Sequence, residues 1–498
     1  YYKMLNFFKV LLLPGLSSRN PFENKTSAVA LFLSLTVFLF QNTWGQDKSN
    51  TEGLPVIRSN VSSVSILDGK VFKKEGWNLV PEAKPDVYDV ALLEGIPHKV
   101  TFYTDMDSIS FLVALGKSYD FMIDWNGKMC HQRLVGKKYV PAAVFDEDYI
   151  ENRKGKIFVN IPEVYELVNV AMAVSSFGRN NKNFIYQKSK YYQAVLNWFD
   201  AYRENEFVVA MDSILSLNSG YYASLKMNGY AFVFDESGQI QRSEVYDRTG
   251  FRDQKSNMLL PYMEQMQSFA DESNFLEFYR QNSDTYSYQI NFYQDSINIP
   301  EMQTWLEKNF PGSNTYDTYN IILSPLVAYN QSTTWFESNG FKELQPHINF
   351  PYRQDFQGLL PISQEAEFTY RGNIVFTEIN HGYINPEGDK FGSVLYEAVS
   401  NRNKWVDASK SANNYTGARI FHEYMNWALI SLRIIDYVDE SEQEKLIKRV
   451  ERSMETGRGF LQFKSFNQFL LELYTNRNEG STIADLYPQI IAWFEKNN

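Results

Sequence analysis

The stretch that decides the fold reads Asn373-Ile374-Val375-Phe376-Thr377-Glu378-Ile379-Asn380-His381-Gly382-Tyr383-Ile384-Asn385-Pro386. Phe376, Ile379 and Tyr383 recur at the spacing of one helix face, so the stretch is predicted to form a helix with an apolar stripe. Gly382 weakens a helix, and proline removes a backbone N–H. The helix is therefore predicted to end near Pro386.

Three polar residues of this helix have the spacing of a metal site. Thr377 and His381 are four residues apart, so they lie one turn from each other, and Glu378 is beside them. The spacing matches the His-Glu-x-x-His helix of zinc hydrolases, with Thr377 in place of the first His. The pattern therefore marks a candidate site and predicts that one of its ligands is missing.

A second helix, predicted for residues 417–437, carries a further carboxylate. Its side chains are apolar on nearly every face, which is typical of a buried helix. His422-Glu423 lies within it, and a buried carboxylate is costly unless it is paired or bound to a metal. Two interpretations stay open: an ion pair with Arg419 or Arg433, or a metal shared with His381.

Length and composition narrow the class of protein. With 498 residues the chain predicts two or three domains, and 44% apolar with 21% charged residues is typical of a globular protein. The net charge of −11 and the absence of a long basic run argue against nucleic-acid binding. Cys130 is the single cysteine, which excludes an intrachain disulfide and a Cys-based zinc cluster.

The N-terminal region predicts export. Lys25 precedes an apolar run over residues 28–40, which has the length of a signal-peptide core and is short for a membrane span. Cleavage is expected near Gly45, with residues 1–45 as the signal region. The mature chain is then expected in the periplasm or outside the cell, with no membrane span.

The predicted architecture is α+β. Residues 46–65 are expected to be a linker and residues 66–150 a small β-sandwich-like domain, because short runs rich in Val, Ile, Phe and Tyr alternate there with turn residues. Residues 155–498 are expected to be a mostly helical domain, with a seam near 340–365 where prolines cluster. Strands are expected at His98–Tyr103, Ile109–Val113 and Tyr119–Trp125. A long helix is expected at Tyr191–Leu215, and an edge strand interrupted by proline at Tyr319–Val327.

These motifs together resemble a known family. The chain resembles a group of exported bacterial proteins of unassigned function with a metallopeptidase-type core. The resemblance lies in residues 377–386, in the later His422-Glu423-Tyr424 and in the upstream segments 100–111, 119–121 and 164–167. The core is similar to the gluzincin zinc peptidases. The resemblance implies a zincin-like fold for the helical domain.

The resemblance also implies roles for individual residues. His381 matches the second His ligand and Glu423 the third ligand of a catalytic zinc, and Glu378 matches the general base that would polarise a zinc-bound water. Thr377 departs from the first ligand, and Trp427 stands where a basic residue is expected. His422 could replace the missing His, but it lies about 100° round the helix from Glu423. Zinc binding is therefore expected to be weak or absent.

Three functions follow as hypotheses. The first is an inactive metallopeptidase homologue that binds an extended peptide or a protein in its cleft. The second is an active metallohydrolase that recruits another ligand. The third is a glycan-binding or glycan-cleaving protein, suggested by 16% aromatic residues and by paired carboxylates. The sequence specifies no oligomeric state.

Overall fold

The computed structural model describes residues 53–60, 63–68, 71–79, 85–92, 96–251, 256–312 and 315–498. The fold is mixed α+β, with sheets in the N-terminal part and mostly helices after them. The chain divides into two compact units, Tyr1–Tyr139 and Val140–Asn498. The predicted signal region, residues 1–45, lies outside the described residues.

The described residues of the first unit form eight strands. They are β1 (Val56–Ser59), β2 (Ser63–Asp68), β3 (Val71–Asn78), β4 (Asp86–Leu92), β5 (His98–Tyr103), β6 (Ser108–Val113), β7 (Ser118–Trp125) and β8 (Lys128–Lys138). They form two four-stranded sheets, in the orders β1-β7-β8-β4 and β3-β2-β5-β6.

The two sheets of this unit share one apolar core. The ring of Phe102 on β5 lies 4.9 Å from that of Phe121 on β7 and 6.0 Å from that of Tyr88 on β4. Contacts of this kind join the inner faces of two packed sheets. The strands predicted at His98–Tyr103, Ile109–Val113 and Tyr119–Trp125 are confirmed as β5, β6 and β7.

The second unit begins with helices and short strands. These elements are α1 (Glu147–Arg153), β9 (Ile157–Asn160), α2 (Glu163–Val174), α3 (Ser176–Asn180), α4 (Lys190–Phe199), α5 (Glu206–Leu217), α6 (Tyr221–Asn228), β10 (Phe232–Phe234), β11 (Ile240–Arg242), α7 (Met263–Glu272), α8 (Phe275–Gln281), α9 (Ser283–Asn291) and α10 (Ile299–Asn309). The long helix predicted at Tyr191–Leu215 is wrong. It is two helices, α4 and α5, because Asn205 accepts the N–H of Phe207 and caps a new helix.

Three strands and the remaining helices follow. They are β12 (Thr318–Ser324), β13 (Ser332–Ser338), β14 (Phe341–Asn349), α11 (Gln364–Arg371), α12 (Asn373–Asp389), α13 (Gly392–Ala398), α14 (Arg402–Trp405), α15 (Ala418–Tyr437), α16 (Glu440–Arg452), α17 (Phe463–Thr475) and α18 (Ile483–Asn497). No helix in the described residues is long and apolar enough to cross a bilayer.

A mixed sheet, in the order β13-β14-β12-β9, supports the helices of this unit. β9, β12 and β14 are parallel, and β13 is antiparallel at the edge. The edge strand predicted at Tyr319–Val327 is wrong, because β12 lies between β14 and β9. Pro325 follows the last residue of β12, so it removes no bond from the ladder.

The two faces of this sheet differ in chemistry, because successive strand residues point to opposite sides. Leu344 and Ile348 of β14 join the apolar core, and α12 packs against this strand. Glu343, Gln345 and His347 alternate with them and are also fully buried. Tyr149 and Tyr246 donate hydrogen bonds to the Glu343 carboxylate, so the second face is a buried hydrogen-bonded polar layer.

The focal helix α12 is confirmed, but its predicted end is wrong. It continues through Pro386 to Asp389. The missing N–H of Pro386 leaves the carbonyl of Gly382 without its helical partner, and the Tyr316 hydroxyl donates to that carbonyl at 3.3 Å. A Cβ at residue 382 would lie 2.8 Å from the Tyr316 ring. The glycine therefore makes room for the side chain that compensates for the proline.

Candidate functional site

The site is built where α12 packs against α15. Asn380 donates to the carbonyl of Asn426 at 3.1 Å, which fixes the two helices against each other. Both helices are buried along most of their length. The polar side chains that they carry at this contact therefore face each other in an apolar surrounding, where charges interact strongly.

His381 and Glu423 meet across the helix contact. His381 Nε2 lies 3.5 Å from Glu423 Oε1, and the other carboxylate oxygen, Oε2, lies 3.0 Å from Nη1 of Arg458. Arg458 comes from a π-helical turn, Ser453–Arg458. Burial by itself would raise the pKa of Glu423, but the charge of Arg458 and the hydrogen bond from His381 lower it to about 2. Glu423 is therefore a paired carboxylate anion.

His381 has a partner on each ring nitrogen. Nδ1 lies 3.3 Å from Asn385 Oδ1, and Nε2 lies 2.9 Å from the side-chain nitrogen of Asn426. Burial would lower the pKa of His381, but Glu423 outweighs it and the pKa is raised. A protonated His381 directs its Nε2–H towards Glu423 Oε1 at 3.5 Å, and rotating the Asn426 amide by 180° would place its oxygen, an acceptor, at Nε2 as well. That turn also gives a partner to the amide oxygen, which is otherwise buried without one among the described residues.

Glu378 is the carboxylate of this site that lacks a strong ion pair. It is 7% exposed, and no hydrogen bond reaches its carboxylate from the part of the chain that the structure describes. Burial raises its pKa to about 7, with opposing effects from His381 and Lys226. A carboxylate with such a pKa exchanges its proton near neutral pH, which is the property of a general acid or base.

Lys226 connects the site with the edge strand. It lies on α6, is fully buried, and donates from Nζ to the carbonyl of Asn330, two residues before β13. Burial lowers its pKa to about 7, and the charge of Glu378 acts in the opposite direction. Lys226 therefore ties α6 to the segment just before β13, and its charge also acts on Glu378.

Thr377 and His422 do not complete a ligand set. The Thr377 hydroxyl donates to the carbonyl of Ile374 in its own helix at 2.9 Å. His422 Nε2 lies 2.6 Å from the place of a Cβ at Gly388, seven residues along α12 from His381. Burial and the charge of His381 lower the pKa of His422 to about 3. His422 therefore packs against the end of α12, while Glu423 faces His381.

The residues present fit only part of a zinc site. Two ligands of a tetrahedral zinc with bonds of about 2.1 Å are about 3.4 Å apart, and His381 Nε2 and Glu423 Oε1 are 3.5 Å apart. A third ligand is needed, but Thr377 is engaged by its own helix. Across the described ranges, no three His, Cys, Asp or Glu side chains are grouped so that they could hold a metal ion. The three-ligand set implied by the resemblance therefore does not fit.

Sequence reasoning missed both cations of the site. A basic residue was expected at Trp427, but Arg458 provides it from 31 positions further along, with its guanidinium 5.1 Å from the Trp427 ring. Arg458 follows a helix end and has no periodic signal. Lys226 has a usable signal, because it is a single charge between Leu225 and Met227 in an otherwise uncharged helix that is largely buried.

Comparison with known proteins identifies one family. A family model described as a domain of unknown function (DUF4932) matches residues 157–493. This is well over half of the chain, so the chain belongs to the DUF4932 family. No curated protein and no solved structure matched it.

Proposed function

We propose that this DUF4932 protein is an exported binding protein on a hydrolase-like scaffold, which takes up an extended peptide next to Glu378 and His381 without metal-dependent turnover. The resemblance to zinc peptidases suggests the scaffold. The apolar run at residues 28–40 supports export. The engagement of Thr377 by its own helix argues against a third metal ligand.

One observation carries the proposal: an edge strand lies beside the candidate site. β13 pairs with β14 on one side and has no second partner among the described strands. It also contacts α12, the helix that carries Glu378 and His381. An edge strand offers unpaired backbone groups to which an extended peptide can add as a further strand. The peptide would then pass the carboxylate and the imidazole.

The register identifies which backbone groups face the open side. Thr333 is paired with Pro346 of β14. Proline has no N–H, so this cannot be a hydrogen-bonded pair of the ladder, and it must be one of the alternating non-hydrogen-bonded pairs. The N–H and carbonyl of Thr333 therefore point away from β14, towards an added strand.

Binding can be tested at this residue. The probe is a fluorescein-labelled library of random ten-residue peptides, measured by fluorescence polarisation on the chain from residue 46. Thr333→Pro removes the outward N–H, and we expect at least a tenfold loss of affinity. Thr333→Val keeps the N–H and removes only the hydroxyl, so it should bind as the natural protein does. Equal binding by all three proteins, or no binding by the natural protein, would contradict the proposal.

Metal content tests the competing function. The 3.5 Å separation of His381 Nε2 and Glu423 Oε1 favours an active metallohydrolase as the second candidate. We expect elemental mass spectrometry to find far less than one zinc per chain in the natural protein. About one zinc per chain, with chelator-sensitive hydrolysis that Glu378→Gln abolishes, would establish the second candidate instead.

A further inference from the structure

One carboxylate at the α12–α15 contact already has a cationic partner from a distant part of the chain. Nη1 of Arg458 lies 3.0 Å from Glu423 Oε2. The carboxylate that a divalent cation would need is thus already neutralised.

Arg458 is held in place by contacts on several sides. Its Nη2 donates to the Tyr415 hydroxyl at 2.8 Å, and its Nη1 approaches the sulfur of Met454 at 3.5 Å. The rings of Trp427 and Phe460 each lie 5.1 Å from the guanidinium carbon. A guanidinium that is stacked and hydrogen-bonded in this way is part of the folded structure and not a mobile surface charge.

We infer that Arg458 takes the place of a metal ion at this site. Its guanidinium neutralises the Glu423 carboxylate and, together with the absence of a ligand at Thr377, prevents divalent ions from binding. The inference rests on the proposed function, in which the site works without metal. It follows that restoring a histidine at residue 377 is not sufficient to restore zinc binding.

The physical reason is repulsion across one carboxylate. An ion bound by His381 Nε2 and Glu423 Oε1 would share the Glu423 carboxylate with the guanidinium. Like charges this close in a buried site repel strongly, because little water screens them.

The test compares zinc affinity, by competition with a fluorescent chelator, in Thr377→His alone and in Thr377→His combined with Arg458→Met. Methionine keeps a long apolar side chain against Trp427 and removes the charge. We expect the double variant to bind one zinc per chain at least 100-fold more tightly than the single variant. If the double variant fails to fold, Arg458→Gln replaces Arg458→Met, because glutamine can still hydrogen-bond Glu423 and Tyr415.

Arg419→Met in the Thr377→His background is the matched control. Arg419 is exposed and its guanidinium lies 5.7 Å from the ring of Tyr415, the residue that also contacts Arg458, but it makes no ion pair with Glu423. We expect no change in zinc affinity. Zinc binding by Thr377→His alone that equals the folded double variant would overturn the inference and leave the proposed function standing. Stoichiometric zinc in the natural protein, or a failure to bind peptide, would instead overturn the proposed function.

Discussion

Replacing Glu378 by glutamine should stabilise the protein at neutral and alkaline pH and have little effect below pH 5. Burial raises the pKa of Glu378 from 4.5 to about 7 in the folded protein. A raised carboxyl pKa means that the folded state binds more protons than the unfolded state between these two values. The stability due to this group is fully present below pH 4.5 and is lost as the pH rises towards 7. Glutamine resembles the protonated acid and does not titrate.

The magnitude follows from the size of the shift. At about 1.4 kcal/mol per pH unit, a pKa shift of this size lowers the free energy of unfolding at high pH by at most about 3 kcal/mol. The charges of Lys226 and His381 act on Glu378, so its titration is coupled to theirs and we expect about 1 to 3 kcal/mol in favour of Glu378→Gln at pH 8. For a chain of this size that is a rise of a few degrees in melting temperature.

The assay is thermal and urea unfolding of the natural protein and of Glu378→Gln at pH 5, 6, 7 and 8. The free energies of unfolding should coincide at pH 5 and separate progressively up to pH 8. Glu365→Gln is the control, because Glu365 is an exposed carboxylate in α11, the helix that precedes α12. Parallel curves for Glu378→Gln and the natural protein, or a variant that is less stable at pH 8, would refute the reasoning.

Two further substitutions test the contacts around the site. Arg458→Met should lower the free energy of unfolding at pH 7, measured by urea titration, by about 2 to 4 kcal/mol, because the buried Glu423 carboxylate loses the guanidinium at its Oε2. Arg419→Met, at an exposed position, should cost less than about 0.5 kcal/mol in the same titration. Gly388→Ala should cost about 1 to 3 kcal/mol, because its Cβ would lie 2.6 Å from His422 Nε2. That cost should largely disappear in a His422→Ala background, and an unchanged cost would contradict the packing described.

Local patterns predicted several elements correctly, and the failures among these predictions have physical causes. An apolar stripe located α12, a run that is apolar on nearly every face located α15, and short runs rich in β-forming residues located β5 to β7. The break between α4 and α5 was missed because a cap at Asn205 outweighs a continuous apolar pattern. β12 was placed at an edge because Pro325 was counted as part of the strand, whereas the strand ends one residue earlier.

The candidate site was predictable only where its residues belong to a spaced motif. Glu378 and His381 share one helix, and a buried carboxylate at Glu423 needs a partner, so a site shared by Glu423 and His381 was one of two interpretations that the sequence left open. Arg458 could not, because nothing near it in the chain indicates that its side chain turns back to α15. Tertiary contacts of this kind depend on helix packing and carry no local signal.

Three positions that span 70 residues of the chain depend on one another structurally. They are the hydroxyl of Tyr316, the backbone of Gly382, which has no side chain, and the ring of Pro386. A side chain at residue 382 would displace the tyrosine, and without the tyrosine the carbonyl opposite the proline loses its donor. Evolution can therefore change these three positions together far more easily than one at a time. Family members without the proline should have lost the requirement for both the tyrosine and the glycine. A tally of these three columns across the family would show whether they covary.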